Sequence, residues 1–260
     1  MDAMLRQPPT ERFSSRVEHY TRFRPGYPKE TITVLRNQCG LTMDSLVADV
    51  AFGTGLFTRL LLENGNRVIG IEPNREMRTA GEKYLSDFPN FSSVDGKAEA
   101  TTLVDRSLDF VTAAQAAHWF DRDKSLKEFR RILKPGGYLV LLWNDRLVDS
   151  AGFNHDYEQL VLRYGTDYGE VKRRDAAAAH FFCDIPSTKR VLPNYQHLDF
   201  EALKGRLLSS SYIPQPGEPS YEAMIGDLRS LFETYQCDQR VEMAYDTKMY
   251  FTNFAPQPGE

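Results

Sequence analysis

The stretch DVAFGTG, residues 49–55, decides how the rest of the chain is interpreted. The apolar run Leu46–Ala48 precedes it, and the run Leu56–Leu62, which has a helical pattern, follows it. A strand, a glycine turn and a helix in this order usually hold a nucleotide-like ligand, because the turn lets the ligand approach the backbone closely. The rest of the chain has to show which ligand that is.

Strand and helix patterns alternate from residue 45 onward. Strands that are apolar nearly throughout, separated by amphipathic helices, indicate a parallel sheet covered on both faces. The predicted strands are Leu46–Val50, Val68–Glu72, a short one within Phe91–Gly96, Leu108–Thr112 and Tyr138–Trp143. The predicted helices are Lys29–Cys39 with Gly40 as its stop, Phe57–Asn64 stopped by Gly65, Asn74–Leu85 with Asn74 as its N-cap, and Ser125–Leu133.

The alternation loosens after Trp143, and the segments there are predicted as insertions that decorate a single domain. They comprise helices at Tyr157–Tyr164, Glu170–Ala179, Glu201–Leu208 and Tyr221–Gln236, and strands at Arg190–Leu198 and Val241–Phe254. Before the alternation begins, the polar segment RFSSRVEHYTRF (residues 12–23) fits one helix that ends at the Pro25–Pro28 turn.

Composition restricts the function classes. The 260 residues are 41% hydrophobic and 12% aromatic, which is enough for a sizeable core, and the net charge is −4. Such a balance argues against general binding to nucleic acid or to an anionic membrane. The three cysteines are far apart, predict no metal site and favour a reducing compartment. The first residues lack the apolar core of a secretory signal, so we expect a cytoplasmic location.

The glycine turn departs from the dinucleotide-binding pattern G-x-G-x-x-G, because Thr58 occupies the place of the third glycine. Gly53 and Gly55 allow a ligand to lie against the turn. Asp49 offers an acceptor to a charged amine, and Glu72, at the end of the second strand, can accept hydrogen bonds from both hydroxyls of a ribose. An ordinary tight turn is the alternative for the two glycines.

Five motifs in order resemble those of the class I S-adenosylmethionine-dependent methyltransferases. They are DVAFGTG (49–55), GIEPN (70–74), KAE (97–99), AAQAAHWF (113–120) and LKPGG (133–137). More narrowly, the chain is similar to the small-molecule methyltransferase type 11 group and its trans-aconitate methyltransferases. The N-terminal pattern Y-x-x-x-R-P-x-Y-P (20–28) and the distal GRLLSSSY (205–212) extend the resemblance over almost the whole chain.

The resemblance implies a doubly wound, Rossmann-like α/β sheet of seven strands, with an antiparallel last strand and helical insertions. It also implies contacts to S-adenosylmethionine. The turn would take the amino-acid end of the cofactor, Glu72 the ribose, Asn74 and Met77 the adenine ring, and Ala98 and Glu99 its amino group. Gln115 would lie beside the cofactor. The implied cofactor-binding set is Asp49, Ala51, Gly53, Gly55, Glu72, Asn74, Met77, Ala98, Glu99 and Gln115.

The turn departs from the family at two neighbouring positions. Ala51 stands where the family normally has glycine, and Phe52 is bulkier than the usual small residue. A β-carbon at Ala51 costs about 1–2 kcal/mol if the backbone there has a positive φ, and little if φ is negative. Cofactor affinity therefore depends on the sign of φ at Ala51, whereas the predicted fold does not depend on it.

The pair His118-Trp119 follows the fourth predicted strand, at the edge where ligands of doubly wound sheets bind. His118 is therefore a candidate to orient an acceptor carboxylate or hydroxyl, or to remove its proton. A structural histidine packed beside a core tryptophan is the alternative. For Met77 the alternative is plain packing of its helix.

The N-terminal motif is implied to fold over the cofactor as a lid that contains Tyr20 and Arg24. Arg24 would face the carboxylate of the cofactor or of an acidic acceptor, although a surface charge beside a turn is also possible. Tyr212 is a candidate pocket residue, and the serines before it fit a helix end. The basic run 172–174 is read as a solvated helix face.

Together these observations predict an S-adenosylmethionine-dependent methyltransferase that acts on a small molecule, on a carboxylate or hydroxyl oxygen. Two other functions stay open: a catalytically silent cofactor-binding module and a nicotinamide oxidoreductase. The expected domain is 1–260, with a lid at 1–30, a cofactor-binding half at 31–145 and acceptor-pocket insertions at 146–260. We expect a monomer or homodimer. The predicted catalytic set is His118, Trp119, Tyr20, Arg24 and Tyr212.

Overall fold

The computed structural model describes residues 22–148, 150–166, 168–169 and 179–254. Its centre is a seven-stranded sheet with the spatial order β3-β2-β1-β4-β5-β7-β6. The strands are β1 (Leu46–Val50), β2 (Arg67–Ile71), β3 (Phe91–Val94), β4 (Leu108–Ala114), β5 (Leu133–Arg146), β6 (Thr188–Leu198) and β7 (Val241–Asn253). This confirms the predicted seven-stranded sheet.

Strands β1 to β5 run parallel to one another, while β7 runs antiparallel to both of its neighbours, β5 and β6. The antiparallel last strand was predicted. Strand order reverses at β1, because the chain goes from β1 outward to β2 and β3 and then returns to β4 on the other side. Ligands of doubly wound sheets bind at the carboxyl ends of the strands at such a reversal.

Helices cover the sheet, and two clusters of buried side chains lie along it. One cluster includes Phe129 and Trp143, and the other includes Leu35 and Leu61. The helices are α1 (Glu30–Cys39), α2 (Leu56–Glu63), α3 (Arg75–Tyr84), α4 (Arg122–Ile132), α5 (Phe153–Tyr164), α6 (Phe200–Leu208) and α7 (Tyr221–Tyr235), and short 3₁₀ turns lie at Ala117–Trp119 and Ala179–Phe182.

Helices α5, α6 and α7 form a third core with the start of β7. Its members include Tyr157, Leu203, Leu228 and Tyr245, all at most 1% exposed. Because Tyr245 is on the sheet, the inserted helices pack directly on β7. Among the described helices none is long and apolar enough to cross a bilayer.

Local sequence signals explain several element ends. The side chain of Asn74 accepts a hydrogen bond from the backbone N–H of Met77 at 2.8 Å, so it caps α3 as predicted. Gly40 ends α1 in a left-handed conformation, with φ of 71°.

Other element ends differ from the prediction. Strand β5 continues three residues past Trp143 because Asn144, Asp145 and Arg146 pair with β7, and their polar side chains gave no strand signal. Helix α4 begins three residues earlier than predicted, because the side chain of Asp121 accepts from the backbone N–H of Lys124 at 3.3 Å and caps it. The predicted helix Glu170–Ala179, except for its last residue, and most of the predicted helix 12–23 lie outside the described residues.

Candidate functional site

The glycine turn after β1 is held in a left-handed conformation at three positions. Ala51 has φ of 55°, Gly53 of 59° and Gly55 of 87°. The backbone N–H of Phe52 donates to the carbonyl of Ile71 at 3.2 Å, and that of Gly55 donates to the carbonyl of Phe52 at 2.9 Å. The turn is therefore closed on itself and tied to the end of β2. Ala51 is in the conformation in which its β-carbon is costly.

Phe52 occupies space that two glycines leave open. A β-carbon at Gly70 of β2 would lie 2.6 Å from Phe52 Cδ1, and one at Gly81 of α3 would lie 2.5 Å from Phe52 Cε2. The ring also meets Phe91 edge to face, with centroids 5.5 Å apart. The bulky residue of the turn thus points into the protein, between β2 and α3, and is 6% exposed.

Glu72 directly follows β2 and bridges the glycine turn to helix α3. One carboxylate oxygen accepts the backbone N–H of Gly53 at 3.0 Å, and the other accepts that of Asn74 at 2.9 Å. Burial raises the pKa of Glu72, while these two hydrogen bonds oppose the rise. The carboxylate therefore has a fixed position beside the turn.

Asp49 lies beneath the turn, at the carboxyl end of β1, and is 1% exposed. Its two oxygens accept hydrogen bonds from the hydroxyls of Thr58 at 2.6 Å and Thr112 at 2.9 Å. Burial raises the pKa of Asp49 to about 6, although both hydroxyls favour the ionised form. The residue in the place of the missing third glycine, Thr58, thus supports the aspartate. The predicted contact of Asp49 with an amine stays a prediction.

The residues predicted for the adenine end lie on α3 and on the segment before β4. Met77 is buried, and its terminal methyl would be 3.3 Å from a β-carbon at Gly53, so it packs against the turn. Ala98 is buried in the core cluster beside the sheet. The carboxylate of Glu99 accepts the backbone N–H of Asp121 at 2.8 Å. The structure brings Met77 to the turn, while the carboxylate of Glu99 is bonded to the start of α4.

Gln115 is the residue after β4 and also has a left-handed backbone, with φ of 56°. Its side-chain oxygen accepts the backbone N–H of Asn144 at 3.2 Å, which joins the carboxyl ends of β4 and β5. The side-chain amide of Asn144 in turn donates to the carbonyl of Gly26 at 2.9 Å. Segment 22–28 is therefore attached to the edge of the sheet on which Gln115 lies.

His118 and Trp119 lie in the 3₁₀ turn that follows β4, and both are half-buried. The His118 ring centroid is 4.6 Å from that of Trp119 and 6.2 Å from that of Trp143. The indole N–H of Trp143 is buried and has no acceptor among the described residues. The histidine thus has an aromatic environment at the predicted acceptor side.

The other predicted catalytic residues lie at two further places. Arg24 donates to the backbone carbonyl of Ser209 at 3.1 Å, which joins the N-terminal segment to the end of α6. Tyr212 packs on Tyr168 with ring centroids 4.8 Å apart. Tyr20 lies outside the described residues.

Sequence reasoning missed a group of buried polar residues next to Tyr212. Arg146, at the end of β5, pairs with Glu158 of α5 and lies over the ring of Tyr157 at 4.6 Å. Arg206 of α6 is 6% exposed and donates to the hydroxyl of Tyr245 at 3.3 Å. Arg206 is part of the GRLLSSSY motif, but an arginine on a helix is ordinarily exposed, so sequence alone did not single it out.

Comparison with known proteins agrees with this geometry. Residues 48–141 match the methyltransferase domain family. Over 260 aligned residues the chain is 26% identical to an uncharacterized methyltransferase-like protein of Schizosaccharomyces pombe, covering 97% of this chain and 99% of that one. It is 39% identical over 153 residues to an uncharacterized methyltransferase of Mycobacterium tuberculosis, an alignment that spans 59% of this chain and 60% of that relative.

A solved structure shares the fold. A proposed type II methyltransferase from Anaeromyxobacter dehalogenans superposes with a TM-score of 0.69 at 20% identity, covering 90% of this chain and 100% of that one. The matched domain and the relatives named as methyltransferases support a methyltransferase, and the solved structure shows the same fold.

Proposed function

We propose that the chain binds S-adenosylmethionine at the carboxyl ends of β1, β2 and β4 and methylates a carboxylate or hydroxyl oxygen of a small molecule. The observation that carries this proposal is the position of Glu72. Its buried carboxylate lies between the N–H groups of Gly53 and Asn74, beside a turn that is left-handed at Gly53 and Gly55. A fixed acceptor at this point suits a ribose diol.

The residues of the turn fit the cofactor. A carboxylate has about four lone-pair positions, and Glu72 uses two of them for backbone N–H groups, so about two remain for hydroxyls. The hydroxyl of Thr54, in the middle of the turn, is buried and has no hydrogen-bond partner among the described residues. The site thus has polar groups that a bound ligand can satisfy, which favours occupation by a polar molecule.

When bound, S-adenosylmethionine supplies a methyl group that its sulfonium already activates. The protein then has to align the acceptor and exclude water. Exclusion of water suits three neighbouring rings, the half-buried His118 and Trp119 after β4 and the buried Trp143 on β5. A carboxylate nucleophile needs no base, whereas a hydroxyl needs one, and His118 is the candidate.

The acceptor is proposed to be a small molecule rather than a nucleic acid or a membrane lipid. The net charge of −4 gives little attraction for a polyanion, and the 12% of aromatic residues can line a mostly apolar pocket. In this arrangement, residues 31–145 hold the cofactor, 146–260 form the acceptor pocket and 1–30 cover it.

Calorimetry with S-adenosylhomocysteine tests the cofactor half of the proposal. We expect micromolar binding to the purified protein and no binding of NAD or NADP. Glu72→Ala should weaken binding by about 1.5–3 kcal/mol, the scale of hydrogen bonds to a charged group. Glu63→Ala is the matched control, because this carboxylate is exposed on α2 and pairs only with Arg59 among the described residues. Tighter binding of NAD than of S-adenosylhomocysteine would refute the assignment.

Turnover with isotope-labelled S-adenosylmethionine and pooled metabolites tests the acceptor half. His118→Ala should lower turnover by about 10²–10⁴-fold if the histidine is a base, with cofactor affinity unchanged. His197→Ala is the control, because His197 is exposed on β6. Loss of cofactor binding or of folding in the His118 variant would make the histidine structural, and methylation of tRNA or DNA but of no metabolite would overturn the small-molecule proposal.

A further inference from the structure

Arg206 is a buried charged group for which the described residues provide no counter-ion. It is 6% exposed. Its Nε–H donates to the hydroxyl of Tyr245 at 3.3 Å and its Nη1 to the hydroxyl of Ser210 at 3.5 Å, both of them neutral groups. Over the ranges that the structure describes, no carboxylate forms an ion pair with Arg206. A guanidinium has five N–H donors and stays charged, so its burial without an anion is costly.

The neighbours of Arg206 hold it in place without neutralising it. The hydroxyl of Tyr245 accepts from Arg206 and donates to the side-chain oxygen of Gln196 at 2.7 Å. Tyr245 is 1% exposed. The sulfur of Met243, at 2.8 Å, is a second acceptor for the single tyrosine proton, so the tyrosine oxygen can accept from the arginine whichever acceptor takes that proton. Two neutral partners thus fix the guanidinium, and within the described part of the chain its other N–H groups have no hydrogen-bond acceptor.

A second buried arginine lies close by, so the surplus charge is positive. Arg146 is the β5 register partner of Tyr245. Its side chain is 10% exposed and pairs with Glu158, while its Nε is buried and has no acceptor among the described residues. Burial raises the pKa of Tyr157, beneath Arg146, to about 12, so this hydroxyl stays neutral. Among the described residues, the guanidinium groups of Arg206 and Arg146 face the one carboxylate of Glu158, which leaves one positive charge.

This charge lies on the acceptor side of the candidate site. Arg146 is two residues beyond Asn144, about 7 Å along the strand. Asn144 is bonded to Gln115, which the family resemblance implies to lie beside the cofactor. At the other end of the group, Arg24 donates to the carbonyl of Ser209, next to Ser210. The group therefore joins the carboxyl end of β5 to the N-terminal segment.

We propose that Arg206 is a specificity-determining residue that binds a carboxylate of the methyl acceptor, with Arg146 adding to the positive field. The proposal rests on the proposed function and narrows its acceptor to molecules that carry a carboxylate. A planar carboxylate matches the paired donors of a guanidinium, which Arg206 still has to offer. The entering anion would supply the counter-charge that the described residues do not provide.

The role of Arg206 can be tested by measuring how small acids and their neutral amides bind in the presence of saturating S-adenosylhomocysteine. The probes are succinate and benzoate against succinamide and benzamide, at constant ionic strength. We expect the wild-type protein to bind an acid at least tenfold better than its amide. Arg206→Met should abolish that preference while S-adenosylhomocysteine affinity stays within twofold, and Arg206→Lys should restore part of it. Arg163→Met, on an exposed arginine of α5, is the control.

Each other result overturns the proposal. Equal preference for acids in wild type and Arg206→Met, or no preference in wild type, shows that Arg206 binds no carboxylate. Loss of S-adenosylhomocysteine affinity in the variant shows that the arginine serves the cofactor. A large drop of the urea unfolding midpoint in both variants shows a structural role. Failure of the wild type to bind S-adenosylhomocysteine refutes the proposed function itself. This outcome distinguishes a failure of the proposed function from a failure of the proposed role of Arg206.

Discussion

Replacing Gly70 by alanine should destabilise the protein through contact with one side chain, Phe52. A β-carbon at Gly70 would lie 2.6 Å from Phe52 Cδ1 and 2.9 Å from both Cε1 and Cγ. All three nearest atoms belong to that ring, and overpacking of this kind costs about 1–3 kcal/mol. Phe52→Ala should cost about 3–5 kcal/mol, because the ring is 6% exposed.

The double variant Phe52→Ala/Gly70→Ala separates this explanation from a general intolerance of β2. With the ring removed, the added methyl group has room and partly fills the cavity. Gly70→Ala should then cost close to nothing, and the coupling free energy should be about 1–3 kcal/mol in favour of the double variant. Urea unfolding followed by circular dichroism, without cofactor, gives the four free energies of the cycle.

Gly81→Ala is the matched comparison. Its β-carbon would lie 2.5 Å from Phe52 Cε2 but also 2.9 Å from the backbone carbonyl of Gly53. Removal of the Phe52 ring relieves only the first contact, so coupling should be weaker than for Gly70. Additive free energies for Phe52 and Gly70, or a neutral Gly70→Ala, would show that the ring does not fill the space that Gly70 leaves.

Two further predictions concern the turn itself. Ala51→Gly should raise the free energy of unfolding by about 0.5–1 kcal/mol in urea titrations. Relief of the positive φ of 55° is worth about 1–2 kcal/mol, and the added chain entropy of glycine cancels about half of this gain. The affinity for S-adenosylhomocysteine should hold or improve, and a tenfold loss of affinity would contradict the prediction. Asp49 has a pKa raised from 3.8 to about 6, so the folded state binds its proton more tightly, and stability should fall by about 3 kcal/mol as pH rises from about 4 to 6. Asp49→Asn should flatten this part of the pH profile in urea unfolding, and an unchanged profile would mean that Asp49 titrates normally.

The parts of the fold that follow from local pattern could be predicted from the sequence. Strand β1 has the predicted bounds, Leu46–Val50, because an apolar run there ends at a glycine turn. The cap at Asn74 could be predicted because it needs only a residue three positions on. By contrast, the extension of β5 to Arg146 depends on pairing with β7, about 100 residues later in the chain. Polar residues that become a strand only by such pairing carry no local signal.

The candidate site, like the fold, could be predicted from the sequence only in part. The sequence could place Asp49 and Glu72 at strand ends, but it could not show that Thr58 holds Asp49, since that contact depends on how α2 packs over the sheet. Arg206 was missed for a similar reason: the turn after α6 and the start of β7 together enclose it.

Backbone strain alone would not have located the site. Ala51 and Gln115 have positive φ at the carboxyl ends of β1 and β4, but five other non-glycine residues in the described chain also do, among them Thr102 and Ser220. The strain at Ala51 is informative because buried carboxylates accompany it. Asp49 and Glu72 lie on either side of the turn, and burial raises the pKa of both. A fold that retains two partly uncompensated carboxylates beside a strained turn gains nothing in stability from them, and this arrangement is the one expected where a ligand with an amine and a diol binds.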